Sequence, residues 1–170
     1  MKIKVFSKSG VLPEYETKGA AGMDLRAHIG ASDETNIRSG LITGAVLLLD
    51  DTGTPNKIVI SSRGRAAIPT GLHIELPEGY EAQIRARSGL ALKQGIMVVN
   101  GVGTVDEDFR GEIKVIITNT GYADLEITNG MKIAQMVINK VEKFPLHQVE
   151  SVAELGTTKR GEGGFGSTGV

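Results

Sequence analysis

Asn100-Gly-Val-Gly-Thr-Val-Asp-Glu-Asp-Phe-Arg-Gly-Glu112 lies between two apolar runs, Ile96 to Val99 and Ile113 to Ile117. Short apolar runs separated by glycine, asparagine and aspartate read as two strands joined by a hairpin. The connection is expected to need unusual backbone angles at Gly101, Gly103 and Gly111, because glycine enters the left-handed region at little cost. A carboxylate such as Asp106, held at the mouth of such a turn, can take a proton from water or bind a sugar hydroxyl. Taken alone, the stretch reads first as a solvated acidic turn, and the rest of the chain has to decide between the two.

The same texture extends outward in both directions. Lys2 to Phe6 alternates as a first strand, ended by Leu12-Pro13-Glu14. Leu72, Ile74 and Leu76 alternate with His73 and Glu75. Pro77-Glu78-Gly79 then turns the chain, and Tyr80 to Arg87 returns with Ala82, Ile84 and Ala86 inward. Ala45 to Leu49 and Lys57 to Ser61 read as two strands around a plain acidic turn, Asp50 to Asn56, which lacks the ligand spacing of a calcium loop. Arg63-Gly64-Arg65 reads as a glycine turn whose arginines could contact phosphate but are more often just solvated. Ile113 to Thr118, Leu125 to Ile127 and Met131 to Val141 supply further strands, with Asn129-Gly130 as a hairpin signal. Asp24 and Arg26 sit two residues apart on one strand face, which suits either an intrastrand salt bridge or a functional pair. Gln135, polar within an apolar strand, is either a structural hydrogen-bonder or a ligand contact. Only Arg87 to Gly95 suggests a helix, with Ser88 as N-cap and Gly95 as its closing residue; an arginine and free N–H groups there make a ready anion site. Glycine, at 23 of 170 residues, is about twice as common as usual. The expected class is all-β with one short helix.

Composition sets the outer bounds. A chain of 170 residues suits one domain with a real core, and a net charge of −1 gives no general pull toward nucleic acid or membrane. The absence of cysteine excludes disulfides, thiolate metal sites and cysteine nucleophiles. His28, His73 and His147 are scattered without metal-ligand spacing. The longest apolar run, Ala45 to Leu49, is too short to cross a bilayer, so a soluble cytoplasmic or otherwise intracellular protein is expected. Lys159 to Gly169 places an arginine, a phenylalanine and two hydroxyls among five glycines. By composition it is a mobile tail, and its chemistry also suits a phosphate cradle; it does not fit a Walker loop.

Five segments, taken together, carry a specific resemblance: Ala21-Gly-Met-Asp-Leu-Arg-Ala27, Arg87-Ser-Gly-Leu-Ala91, Gly103-Thr-Val-Asp-Glu-Asp-Phe-Arg-Gly-Glu112, Gly130-Met-Lys-Ile-Ala-Gln-Met136 and Arg160-Gly-Glu-Gly-Gly-Phe-Gly-Ser-Thr-Gly169. In order, they resemble the five motifs of the trimeric dUTP pyrophosphatases (dUTPases), across nearly the whole chain. The resemblance implies a β-barrel-like jelly roll, assembled as a homotrimer with sites shared between subunits. Residues 1–158 would form the β domain, and 159–170 a flexible glycine-rich lid over a neighbour's nucleotide. The implied reaction is hydrolysis of dUTP to dUMP and pyrophosphate, with Mg2+ carried by the triphosphate. It limits uracil in DNA and supplies dUMP for thymidylate synthesis.

Residue by residue, the resemblance gives Asp106 the attacking water and the 3′-hydroxyl, and Asp24 a hold on the magnesium ion through water. Arg87, Ser88, Gly89 and Gln135 would bind phosphates. Asn100, Thr104 and Val105 would read uracil, with Lys114 near the base. Arg160 would bind the γ-phosphate and Phe165 stack on uracil, while Gly166, Ser167 and Thr168 close the lid. Two departures stand out. Phe109 replaces the family's usual tyrosine beneath the deoxyribose, keeping the ring and losing its hydroxyl. The stretch near Leu41 to Ser61 is additional to a minimal member, an extra hairpin that suits a trimer surface or a protein partner. Two rival readings share these features: a dCTP deaminase, which would not be expected to carry the full arginine-glycine-phenylalanine tail, and a nucleotide-sensing regulator binding a partner through the extra hairpin.

Overall fold

The computed structural model describes residues 2–30 and 42–164. The expectations for Leu41, Phe165, Gly166, Ser167 and Thr168 lie outside these residues. Among the described residues eleven strands and one α-helix follow in chain order: β1 (Lys4–Ser7), β2 (Met23–Arg26), β3 (Ile42–Leu49), β4 (Pro55–Pro69), β5 (Leu72–Glu75), β6 (Tyr80–Arg85), α1 (Ser88–Gln94), β7 (Ile96–Val98), β8 (Gly103–Val105), β9 (Lys114–Asn119), β10 (Leu125–Thr128) and β11 (Lys132–Lys140), then a 3-10 turn over Val152–Leu155. The all-β class, with one short α-helix among the described residues, is what the sequence leads one to expect. No helix among the described residues is long and apolar enough to cross a membrane.

Strict alternation builds the core. Ile58 and Ile60 on β4, Val115 and Ile117 on β9, Leu125 and Ile127 on β10 and Ile133 on β11 are all buried. They belong to one apolar cluster that also takes Leu25 from β2 and Ile96 from β7. Two buried polar residues are fully engaged. Asn119 Nδ2 donates to Ile60 O (3.0 Å) and Ala123 O (2.8 Å), and its Oδ1 accepts from Gly121 N (2.9 Å). Thr70 Oγ1 donates to Ile113 O at 2.6 Å. Such pairing removes most of the cost of burying them.

The strands form three sheets: β1–β5, then β10–β4–β9–β7 with β3 along β4, then β2–β11–β6–β8. The opening hairpin is therefore partly right. Strands β7 and β9 do pair antiparallel, Val98 opposite Ile117, but between them the chain leaves that sheet to place β8 against β6. Of the three glycines, only Gly101 has a positive φ, +71°. Gly103 and Gly111 are small for want of room. A Cβ on Gly103 would meet Ile84 Cβ at 3.2 Å, and one on Gly111 would meet Phe109 Cζ at 2.5 Å.

Other expected hairpins resolve into crossings between sheets. The Pro77–Gly79 turn joins β5, paired to β1, with β6, paired to β11 and β8. Asn129-Gly130 likewise carries the chain from β10 on one sheet to β11 on another. The acidic turn after β3 is a true hairpin, since β3 and β4 pair antiparallel. Asp50 Oδ1 accepts there from Thr52 N (2.9 Å), Thr54 N (3.0 Å) and the Thr52 hydroxyl (2.6 Å). Those bonds hold the Asp50 carboxyl below its ordinary value, the Thr52 hydroxyl contributing most. Arg63-Gly64-Arg65 is not a turn but an irregularity inside β4, with Arg63 at φ +63° and Gly64 pressed against Gly44. Along β3, Val46, Leu48 and Leu49 stay exposed.

Candidate active site

Among the described residues the predicted site residues, Arg160 apart, gather in two clefts. The first is a pocket of about 340 Å3 lined by Asn100, Thr104, Val105, Asp106, Phe109 and Lys114, with Ile84, Val98 and Val115 behind them. It forms because β7 and β9 stay in one sheet while β8 pairs with β6 in another, opening a gap between the layers. The turn after β7 is closed by Gly101 N to Val98 O (2.9 Å) and Val102 N to Asn100 O (2.8 Å). Phe109, 42% exposed, lies against the bare backbone of Gly111 and offers its ring to the pocket. Asp106 is exposed, and no donor among the described residues bonds its carboxylate. A carboxylate with free lone pairs in a pocket of mixed apolar and polar lining can orient a water or a hydroxyl.

The second cleft, about 470 Å3, is lined by Gly22, Asp24, Arg87, Ser88, Gly89 and Gln135. Glu16 and Lys93 also line it. Register explains the grouping: Gln135 of β11 stands opposite Asp24 on β2 and Arg85 on β6. Gln135 Nε2 donates to Ala86 O (3.0 Å), steadying the chain just before Arg87. A Cβ at Gly22 would come 2.7 Å from Gln135 Oε1, so a side chain there would displace the Gln135 amide. The helix behind this cleft begins differently from expectation. Ser88 is its first residue and Arg87 occupies the cap position, with no side-chain cap bond. Gly95 closes it as expected, at φ +65°.

Asp24 does not pair with Arg26. Its Oδ1 lies 2.9 Å from Arg87 Nε, and its Oδ2 lies 2.9 Å from Lys132 Nζ. Arg26 instead donates to Gly130 O at 3.0 Å. The Lys132 contact of the buried Oδ2 is an ion pair at 2.9 Å, and among the described residues no other group bonds this oxygen. Lys132 also touches Glu16, which with Asp24 raises the ammonium above its ordinary pKa.

The two clefts share no lining residue. Arg160 lines neither; it donates from Nε to Gly163 O at 2.7 Å within its own turn. Three acidic residues escaped the sequence-based roles. Glu112 takes Gly71 N on Oε1 (2.7 Å) and Lys8 on Oε2 (3.0 Å) beside the first pocket. Glu107 takes Gly79 N (2.5 Å) and Lys143 (2.9 Å). Glu16 is the shared partner of Lys132. Glu107 and Glu112 stood inside a quoted motif, whereas nothing local pointed to Glu16.

The dUTPase family model matches residues 51–169. This chain belongs to the dUTPase family. A deoxyuridine 5′-triphosphate nucleotidohydrolase of Rhizobium rhizogenes is 50% identical over 159 residues, covering 94% of this chain and 85% of that one. One from Fusobacterium nucleatum is 43% identical over 170 residues, covering 99% and 97%. That second match runs past the β3–β4 hairpin on both sides. Among solved structures, a Staphylococcus bacteriophage 80alpha dUTPase with dUpNHpp superposes with a TM-score of 0.74 at 24% identity, covering 99% of each chain. The Streptococcus mutans dUTPase gives 0.63 at 19% identity, covering 85% of this chain and 99% of its own. At those identities the structural match speaks for the fold, and it agrees with the jelly-roll body expected from the five motifs.

Proposed function

We propose that the protein hydrolyses dUTP to dUMP and pyrophosphate, by water attack on the α-phosphorus. The observation that carries this reading is the single pocket that collects Asn100, Thr104, Val105, Asp106, Phe109 and Lys114 around one unengaged carboxylate. Curated relatives named deoxyuridine 5′-triphosphate nucleotidohydrolase support it over most of the chain. In this reading the narrow wall of β8 and β9 reads the base, and the Phe109 ring floors the sugar. Asp106 orients the water and holds its proton as the new P–O bond forms. Arg87, Ser88 and Gly89 take the phosphates, with Gln135 aligned behind them. Arg160 and the lid residues Phe165 to Thr168 complete the enclosure and exclude bulk water. Removing dUTP in this way keeps uracil out of DNA, and the dUMP formed serves thymidylate synthesis.

Magnesium fits as a companion of the substrate. Among the described residues no group of three His, Asp or Glu is placed to hold a metal ion. Asp24 Oδ2 is buried and held only by the Lys132 ammonium, so it can take a single water on such an ion if Lys132 gives way. The ion, when bound, would neutralise phosphate charge during the reaction. Lys132 can turn to Glu16 when Asp24 is engaged, since it already touches both. A homotrimer accounts for the division of the predicted site into two clefts, each completed by another copy's half. Nucleic acid and membrane have no part in this reading.

Asp106→Asn tests it. Turnover of dUTP should be lost while a non-hydrolysable dUTP analogue still binds, because binding rests on other groups. Turnover at the wild-type level would remove Asp106 from the mechanism.

A further inference from the structure

Among the described residues no donor bonds the Asp106 side chain, so its aim depends on how the turn that bears it is held. On the upstream side β8 ends at Val105, one residue short of it. On the downstream side the backbone closure of this turn through Asp106 among the described residues is a long one, Phe109 N to Asp106 O at 3.2 Å. The firm attachments belong to the next residue. Glu107 Oε2 accepts from Gly79 N at 2.5 Å, and Oε1 accepts from Lys143 Nζ at 2.9 Å. Arg110 Nη1 donates to the carbonyls of Glu107 (2.7 Å) and Phe109 (2.9 Å), and His73 Nδ1 meets Arg110 O at 2.9 Å.

Gly79 makes this a three-way junction. Its carbonyl accepts from Val141 N at 2.8 Å, while its own N–H serves Glu107. The β5–β6 turn, the acidic turn and the chain leaving β11 are thus fastened at one point. Charge-assisted bonds of this kind are stronger and more directional than neutral ones. The Lys143 hydrogen bond and then the Gly79 N–H hold the Glu107 carboxyl below its ordinary range, and Glu107 raises Lys143 in turn. Both oxygens of Glu107 are occupied within the protein, so it is not the group that meets substrate.

We propose that Glu107 is a positioning residue for Asp106. Its clasp on Gly79 and Lys143 fixes the acidic turn to the rest of the fold. This rests on the reading of Asp106 as the catalytic carboxylate. Lys143 is the better handle for a test, because its side chain is 72% exposed and its loss cannot open a core. A misplacement near 1 Å at a reacting group can cost up to about a hundredfold in rate.

The experiment is steady-state hydrolysis of dUTP with Mg2+ by wild type, Glu107→Gln, Lys143→Met, Lys143→Arg and Glu78→Gln, with thermal melts of each. Glu78→Gln removes a nearby exposed charge that Lys143 senses without bonding it. The expected result is a fall in kcat of about threefold to about a hundredfold in Glu107→Gln and Lys143→Met. KM should stay within twofold, Lys143→Arg should recover most of the rate, and Glu78→Gln should match wild type. Unchanged kcat in both altered enzymes, with an active wild type, overturns the positioning role. So does a loss that follows the melting temperature and is not rescued by arginine. A wild type that releases no pyrophosphate from dUTP takes down the parent reading and this one together.

Discussion

Gly111→Ala would add one methyl group beneath the Phe109 ring, and the structure sets the size of its effect. The new Cβ would lie 2.5 Å from Phe109 Cζ, 2.9 Å from Cε2 and 3.3 Å from Cε1. Ordinary carbon contacts begin at about 3.5 Å, so the ring must retreat by about 1 Å. Gly111 does not have a positive φ, so backbone strain adds nothing and the effect is one of space. The ring is 42% exposed and can swing toward solvent rather than into the core. The folding cost should then sit at the low end of overpacking, about 1 kcal/mol. Function should suffer more. If Phe109 floors the sugar, a shift of about 1 Å can cost up to about a hundredfold in kcat/KM for dUTP. The same shift opens room for a 2′-hydroxyl, so UTP should lose less. Pyrophosphate release from dUTP and UTP, with a melt as control, measures both. Phe109→Ala should reproduce the loss of selectivity, and the double variant should add little to it, because both act through one ring. Wild-type rates and an unchanged dUTP/UTP ratio in Gly111→Ala would refute the placement of the sugar against Phe109.

Three further outcomes are expected. Truncation before Arg160 should remove most of the activity and leave the melting temperature close to wild type, because among the described residues Arg160 bonds within its own turn. Asp24→Asn should weaken triphosphate binding and cost about 1–3 kcal/mol in chemical denaturation, since it leaves Arg87 and Lys132 facing each other without their shared carboxylate. The Glu107 pair sets a pH dependence. Its folded pKa lies below the unfolded value of about 4.3, so its stabilisation is present above that value and lost as pH falls through the lower folded one. The melting-temperature gap between wild type and Glu107→Gln should therefore narrow on acidification below about pH 4.3, and a gap that widens would refute the assignment.

Alternation made the strands legible, because burial on one face leaves a period of two along most of β4, β6 and β9. It could not say which strands pair. The turns at Pro77–Gly79 and Asn129-Gly130 carry good local turn chemistry, yet each joins strands of different sheets, a choice made by packing of distant segments. Asp24 illustrates the same limit in the site. Its neighbour along the strand, Arg26, was the visible partner, but its real partners Arg87 and Lys132 arrive from α1's start and from β11. Gly103 and Gly111 were legible as glycines and misread as to cause, since sequence shows flexibility and hides the crowding by Ile84 and Phe109. The grouping of Asn100, Thr104, Val105, Asp106, Phe109 and Lys114 came from the motif as a whole, and the pocket that unites them is assembled by β6, β7, β8 and β9 together.

The most direct test is pyrophosphate release by the full chain from dUTP, dTTP, dCTP and UTP in the presence of Mg2+. The account predicts rapid release from dUTP, little from the other three, and none from dUTP with Asp106→Asn. Equal release from all four nucleotides, or ammonia from dCTP without pyrophosphate from dUTP, would contradict it.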